Sequence, residues 1–249
     1  MTIAKITAAT AAGLGLALAI SASAAASALI HAYEFSVAGS AVDSVGGANG
    51  VLMNGATISG GSLHLDGADD WVSFASNLIP TGATPYSIDI RVDGSTSPGH
   101  YSEIISQGYS TGPGLYIGTN PSGFFRLTDN FPTTGVAFPT GMHDLLFTTG
   151  AGGSKFYIDG ALKFSSPLQA SGAAGGDFTV FGKQFSPASE FFKGDIDFIR
   201  IYDRTLAPGG VPEPATWLLM LVGVGGAGAG LRRSRRARKG SVLRVNSAA

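Results

Sequence analysis

Glycoside hydrolysis needs two carboxylates flanking one sugar, about 5 Å apart for retention and up to about 9.5 Å for inversion. On a single strand that demand shows as acidic residues at alternating positions, and Asp195 and Asp197 have this spacing. The three glutamates of the central part of the chain, Glu34, Glu103 and Glu190, form no Glu-x-Asp-x-x-Glu pattern. No catalytic residue is therefore assigned, and the expectation is a domain that is not an enzyme. His31, His64, His100 and His143 are scattered, with no metal-ligand spacing between any two. The chain has no cysteine, which excludes a disulfide scaffold, thiol chemistry and cysteine-ligated zinc. Aromatic rings are the remaining candidates. Trp71 shares one face of an alternating segment with Ser73, leaving Val72 and Phe74 for the other. With Tyr101, Tyr109 and Tyr116 it is the candidate platform for the apolar face of a sugar ring. Core or edge packing is the alternative reading of the same four residues.

Charge is segregated along the 249 residues. Residues 29–210 hold sixteen acidic and eight basic side chains, a formal charge of −8. Seven of the remaining basic residues fall in the last eighteen positions. A central part this acidic offers no basic patch to neutralise phosphates, so nucleic acid is not an expected partner.

The two ends read as address signals. Residues 1–28 contain Lys5, an uncharged apolar run over 6–20 and a small-residue stretch over 21–28 ending in Ala26-Ser27-Ala28. That order predicts a secretory signal peptide cut before Leu29. An N-terminal membrane anchor is the alternative, although the run falls short of the roughly 20 residues a bilayer needs. Residues 215–231 form an uncharged apolar segment followed by an arginine cluster, predicted to be a short transmembrane helix with its basic flank in the cytoplasm. Directly before it stands Pro212-Glu213-Pro214. Tripeptide, apolar segment and arginines in this order, over residues 211–236, resemble the PEP-CTERM sorting signal of Gram-negative bacteria. The resemblance implies processing by an exosortase, export to the cell envelope or extracellular matrix, and association with extracellular polysaccharide. Residues 237–249 extend past the usual end of such signals and read as a basic cytoplasmic tail. A plain C-terminal anchor is the alternative.

Residues 29–210 are long enough for one core. Period-two runs over 33–37, 62–66, 71–75, 87–92, 102–106, 115–117, 124–127, 144–148, 155–158, 178–181 and 195–202 predict strands. Turn signals, among them Asn54-Gly55, Asp93-Gly94 and Asp159-Gly160, separate several of them. The expected fold is all-β, a two-sheet antiparallel jelly-roll sandwich. Leu63-His64-Leu65-Asp66-Gly67, Trp71-Val72-Ser73-Phe74, Lys155-Phe156-Tyr157-Ile158-Asp159-Gly160 and the closing run from Phe192 to Arg204 resemble the laminin-G-like, concanavalin A-like jelly roll. In such folds the last strand returns beside the first.

The resemblance also implies a structural calcium ion at one rim. Asp43, in the glycine-rich loop after the first strand, and Asp197 on the closing strand are its candidate ligands. Asp66, Asp69 and Asp70 form a second acidic loop, read as a solvated turn. The expected function is an exported, non-enzymatic binding or adhesion module directed at polysaccharide or another surface component. A secreted polysaccharide hydrolase or lyase on the same fold and a structural coat protein are the rivals. Mature protein from an exosortase-bearing host is expected to lack residues 1–28 and the segment after about Pro214. Intact-mass measurement checks both cuts, and a full-length tail on most mature molecules leaves a plain anchor instead.

Overall fold

The computed structural model describes residues 29–95, 99–108, 114–128, 131–170, 177–185 and 190–209. The signal peptide, Pro212-Glu213-Pro214, segment 215–231 and the basic tail lie outside the described residues. Among those described, no helix is long and apolar enough to cross a membrane.

The strands are β1 (Leu29–Tyr33), β2 (Val51–Met53), β3 (Thr57–Ser59), β4 (Ser62–Asp66), β5 (Trp71–Ser73), β6 (Tyr86–Ser95), β7 (Ser102–Gly108), β8 (Leu115–Thr119), β9 (Phe125–Thr128), β10 (Met142–Gly150), β11 (Gly153–Ile158), β12 (Ala161–Ser166), β13 (Asp177–Phe181) and β14 (Lys193–Tyr202). They form two antiparallel sheets, the larger in the order β12-β11-β10-β6-β14-β4-β3 with β1 also on β14, the smaller in the order β2-β5-β13-β7-β8-β9. The closing strand does return beside the first. The second half of β14 pairs with β1, Ile199 opposite Tyr33, while its first half pairs with β4, Ile196 opposite Leu63. Its other edge is paired with β6 from end to end.

Three strands escaped the period-two reading. β2 and β3 have three residues each, too few for alternation to register, and β12 is an edge strand with exposed Ala161, Leu162 and Lys163. The first strand sits earlier than residues 33–37, because Phe35 adopts a left-handed backbone (φ 45°) that ends pairing. Asp93-Gly94 is not a turn either. Both residues lie within β6, where Gly94 pairs with Gly194 and the Phe192 ring occupies the space of a side chain, 2.4 Å from where a Cβ would sit.

Alternation builds the core. Ile88, Ile90 and Val92 of β6, Ile196, Ile199 and Ile201 of β14, and Phe147 and Phe156 point inward from the larger sheet. Val72, Ile105, Ile117, Phe125 and Phe181 meet them from the smaller one. The sheets lock through aromatic pairs, Tyr33 on Phe181 at 5.1 Å and Phe125 on Phe156 at 4.8 Å between ring centroids.

The loop after β1 is organised by one buried carboxylate. Asp43 Oδ1 accepts the N–H groups of Ala32 (3.0 Å), Val45 (3.1 Å) and Gly46 (3.0 Å). Its Oδ2 accepts the Ala48 N–H (3.0 Å) and the His31 ring (2.7 Å). Gly46 has to be glycine, since a Cβ there would lie 2.3 Å from His31 Nδ1. Burial alone would raise the Asp43 pKa, but the His31 hydrogen bond and the amides of Ala32, Gly46 and Ala48 outweigh it and hold the group at about 2. Asp43→Ala strands four backbone donors and is expected to cost about 3–5 kcal/mol in denaturant unfolding. The carboxylate's contribution is present above its unfolded pKa of 3.8 and is lost as pH falls through about 2. The acid limb of the wild-type stability profile should therefore flatten in this variant.

Candidate functional site

Alternation on the smaller sheet that sends Val72, Ile117, Phe125 and Leu127 inward sends Trp71, Tyr116 and Arg126 outward. Trp71 stands half-buried on β5 with the Lys183 ammonium 4.2 Å above its ring. On β8, Tyr116 stacks on Phe185 at 5.4 Å and carries the Arg126 guanidinium at 3.8 Å. Arg126 also lies 4.6 Å from the ring of Tyr101, which is 41% exposed. Such cation–π contacts orient a cation over a ring face. Beside them Glu103 and Glu190 approach the Arg126 Nη1 at 3.3 and 3.2 Å. Glu103 is fully buried, and it fits because its neighbour across the ladder is Gly118, where a Cβ would fall 2.1 Å from Oε2. A cleft of about 380 Å³ opens beside Tyr101 and Arg126, with Asn120, Thr128, Phe131 and Thr133 on its walls. With strands about 4.8 Å apart, Trp71 on β5 and Tyr116 on β8 are about 14 Å apart across the face.

The residues singled out in the sequence divide among several places. Trp71, Tyr101 and Tyr116 share the smaller-sheet side, Tyr116 being buried within the stack, while Tyr109 lies outside the described residues. Asp195 and Asp197 both project from the larger sheet, where other groups hold them. Asp195 accepts from His64 at 2.7 Å, a hydrogen bond that raises the His64 pKa. Asp197 accepts from the Ser62 hydroxyl at 2.6 Å and pairs with Arg91 at 3.4 Å.

Asp43 and Asp197, the expected calcium ligands, each have other partners in this structure. Two carboxylate oxygens offer about four lone-pair positions, and those of Asp43 already accept five hydrogen bonds. Asp43 does not fit a metal; it fits the loop it holds. The string Gly108-Tyr109-Ser110-Thr111-Gly112 has the spacing of a hydrolase nucleophile elbow, which demands a strand-to-helix turn. Tyr109, Ser110, Thr111 and Gly112 lie outside the described residues.

A larger concavity, unforeseen in the sequence, lies on the outward side of the larger sheet. It encloses about 640 Å³, with Leu29 and Gly209 at its rim and Asp89, Phe198, Arg200 and Tyr202 on its walls. Arg200 is held by Glu34 through two bonds, 2.7 and 3.0 Å, and lies 4.0 Å over the Phe198 ring. Arg91 is held likewise by Asp144 at 2.9 and 3.1 Å. Asp89 is 6% exposed, and its ion-pair partner Arg200 stands 3.9 Å away. Burial, only partly offset by Arg200 and reinforced by Asp144 and Glu34, pushes its pKa up to about 6. Nothing in the spacing of β6 distinguishes Asp89 from the outward Asp93; the difference is burial.

The solved structures that resemble this domain share its fold at low identity. Domain 4 of AbnA, an extracellular arabinanase of family GH43 from Geobacillus stearothermophilus solved with arabinotriose, aligns over 74% of this chain and 96% of that one, at 20% identity and a TM-score of 0.59. Trypanosoma rangeli sialidase bound to 2,3-difluoro-KDN aligns at 14% identity and a TM-score of 0.56, with this chain covering 32% of its length. No curated protein matches the sequence significantly. The PEP-CTERM protein-sorting motif matches residues 210–236, which marks an exported protein, anchored at its C-terminal end until an exosortase processes it, of a kind typical of Gram-negative bacteria. Residues 66–211, more than half of the chain, match the profile of the jelly-roll domain whose strands and core are described above, and the chain belongs to the concanavalin A-like lectin/glucanases superfamily.

Proposed function

We propose that the exported domain binds extracellular polysaccharide without cleaving it, along the outward side of the smaller sheet between Trp71 and Tyr101. The observation that carries this reading is the combination on one side of two accessible aromatic rings with the fixed charges of Lys183, Arg126 and Glu190. A sugar offers an apolar ring face and a hydroxyl rim, and these residues supply a partner for each. Arg126 is pinned by two aromatic rings and two carboxylates, so little rotamer entropy remains to be lost on binding. The sorting signal supports the same reading, since it marks the chain for export and an exported domain can meet such polymers. The similarly folded arabinanase domain, solved with arabinotriose, makes that trisaccharide and arabinan sensible first members of a test panel.

One observation favours the hydrolase reading, namely Asp89, a buried acid whose pKa is pushed up to about 6, in the larger-sheet cleft of about 640 Å³. An acid catalyst is tuned in this way. Against that role, the neighbouring carboxylates Glu34 and Asp144 are both bound to arginines, which leaves no free second carboxylate for the chemistry.

Incubation of the purified protein with a polysaccharide panel is expected to show retention without release of reducing ends. Trp71→Ala and Tyr101→Ala should each weaken retention about 5- to 100-fold, on the scale of about 1–3 kcal/mol for a lost aromatic contact. Reducing ends that disappear in Asp89→Asn would establish the hydrolase instead. Asp89 also makes a separate prediction about stability. Its folded pKa is raised from 3.8 to about 6, so its stabilising contribution is complete below 3.8 and is lost as pH rises through about 6. Asp89→Asn should remove that dependence, and at pH 7–8 should melt higher than wild type, by up to about 3 kcal/mol in stability.

A further inference from the structure

Beyond the closing strand, the larger sheet ends in the hairpin of β3 and β4. Register sets Thr57 of β3 and Asp195 of β14 on either side of His64 of β4. The alternation that buries Ile58, Leu63 and Leu65 turns Ser59, His64 and Asp195 to the outside. These three side chains are linked by hydrogen bonds. Ser59 Oγ lies 2.9 Å from His64 Nε2, and His64 Nδ1 lies 2.7 Å from Asp195 Oδ1. Hydroxyl, imidazole and carboxylate, in that order and at those distances, are the arrangement that makes a serine a nucleophile.

The other carboxylate-bound histidines lack it. His31 and His143 also bind an aspartate through Nδ1, but Nε2 of His143 meets the Thr140 carbonyl, and among the described residues no hydroxyl stands at Nε2 of either. With Asp195 at Nδ1, the ring proton stays on that nitrogen and the Nε2 lone pair faces the Ser59 hydroxyl. Once His64 has taken the proton, the Ser59 carbonyl oxygen, 3.0 Å from Nε2, is in place to accept a hydrogen bond from it. Ser59 is followed by Gly60 and Gly61, which turn the hairpin with left-handed backbones (φ 61° and 91°). Neither N–H is taken by an acceptor among the described residues, and a Cβ on either glycine would meet nothing within 4 Å. They are open donors beside the serine, of the kind that receives a developing oxyanion.

We propose that Ser59, His64 and Asp195 form an esterase site at the edge of the larger sheet, hydrolysing esters of short carboxylic acids such as acetic acid. Ser59 Oγ attacks the ester carbonyl carbon while His64 Nε2 takes the hydroxyl proton, and the Gly60 and Gly61 N–H groups receive the oxygen that becomes anionic. Collapse of this intermediate breaks the bond to the alkoxy oxygen, which leaves as the alcohol with the proton from His64. Water then attacks the acyl-serine and gives a proton to His64. A second collapse releases the carboxylic acid, and the proton returns to Ser59. Asp195 is a positioning residue that acts through His64. Ser59 is exposed, and so is 38% of the His64 side chain, so a long acyl chain would find little apolar surface to bury while a short one loses nothing. Ester hydrolysis leaves glycosidic bonds intact, and the site lies on the other sheet from Trp71, so it neither needs nor excludes the polysaccharide reading.

The test is hydrolysis of p-nitrophenyl acetate by the purified protein, with free imidazole at equal concentration as the reference. Turnover above that reference is expected, and a fluorophosphonate should label Ser59, located by peptide mass. Ser59→Ala and His64→Gln should each lower kcat/KM by about 10²- to 10⁴-fold while melting like wild type. The rate should rise with pH through the His64 pKa, which the Asp195 hydrogen bond lifts above 6.5. Other charged residues at register positions around His64 are Asp66 on its own strand, Lys193 and Asp197 on β14 and Asp93 on β6, and β3 brings none. Asp195→Asn should lower the rate and also move the midpoint of this rise to lower pH, a displacement that loss of packing alone does not produce. Absence of turnover above imidazole overturns the proposal. So does hydrolysis that survives undiminished in Ser59→Ala, which would leave the serine without a part in the reaction.

Discussion

β14 is paired along both edges. Its inner residues, Ile196, Ile199 and Ile201, complete the core, and its outer residues carry Asp195, Asp197, Phe198, Arg200 and Tyr202. Nine of its positions are matched to β6, with a bulge between Ile196 and Phe198, and the opposite edge is divided between β4 and β1. A slip of one residue would move every isoleucine to solvent and every charge into the core. Register on this strand therefore fixes the core and the larger-sheet cleft by a single constraint. Gly94 and Gly194 face each other in this ladder, where a side chain on Gly194 would strike the Asp93 carbonyl of β6 and one on Gly94 the Phe192 ring.

A domain with twice as many acidic as basic residues must place its carboxylates with care. Two solutions recur. Some carboxylates work as loop anchors, accepting backbone N–H groups, as Asp43 does for its own loop and Asp159 does for Asp144. Others are matched to a few arginines that each serve two acids, Arg91 for Asp144 and Asp197, Arg200 for Glu34 and Asp89, and Arg126 for Glu103 and Glu190. Three of the four histidines add to this economy by binding a carboxylate through Nδ1. These three histidines are thus parts of the charge network.

Period-two alternation was enough to find most strands, the two-layer architecture and the outward setting of Trp71. It was blind to strands of three residues and to the left-handed step at Phe35, which depends on how the chain leaves β1. The candidate sites were less legible. Arg126 lies between Phe125 and Leu127, so its outward direction was readable, but the rings that clamp it come from β8 and from the segment before β7. The sequence marks Asp43 as a candidate calcium ligand in a glycine-rich loop. Only the three-dimensional course of that loop reveals that its amides converge on the carboxylate and leave no oxygen free. The contrast between Asp89 and Asp93 on the same strand face is one of burial, which no local spacing encodes.

The first strand begins and the described chain ends at one place, the rim of the larger-sheet cleft, where Leu29 and Gly209 both stand. While the C-terminal segment is held in the membrane, the domain is tethered from this rim. Tension along the tether then reaches the domain at the end of β14, a strand gripped on both sides, and has to shear whole ladders instead of peeling an edge. The smaller sheet, with Trp71 and Tyr101, is the layer farther from that attachment.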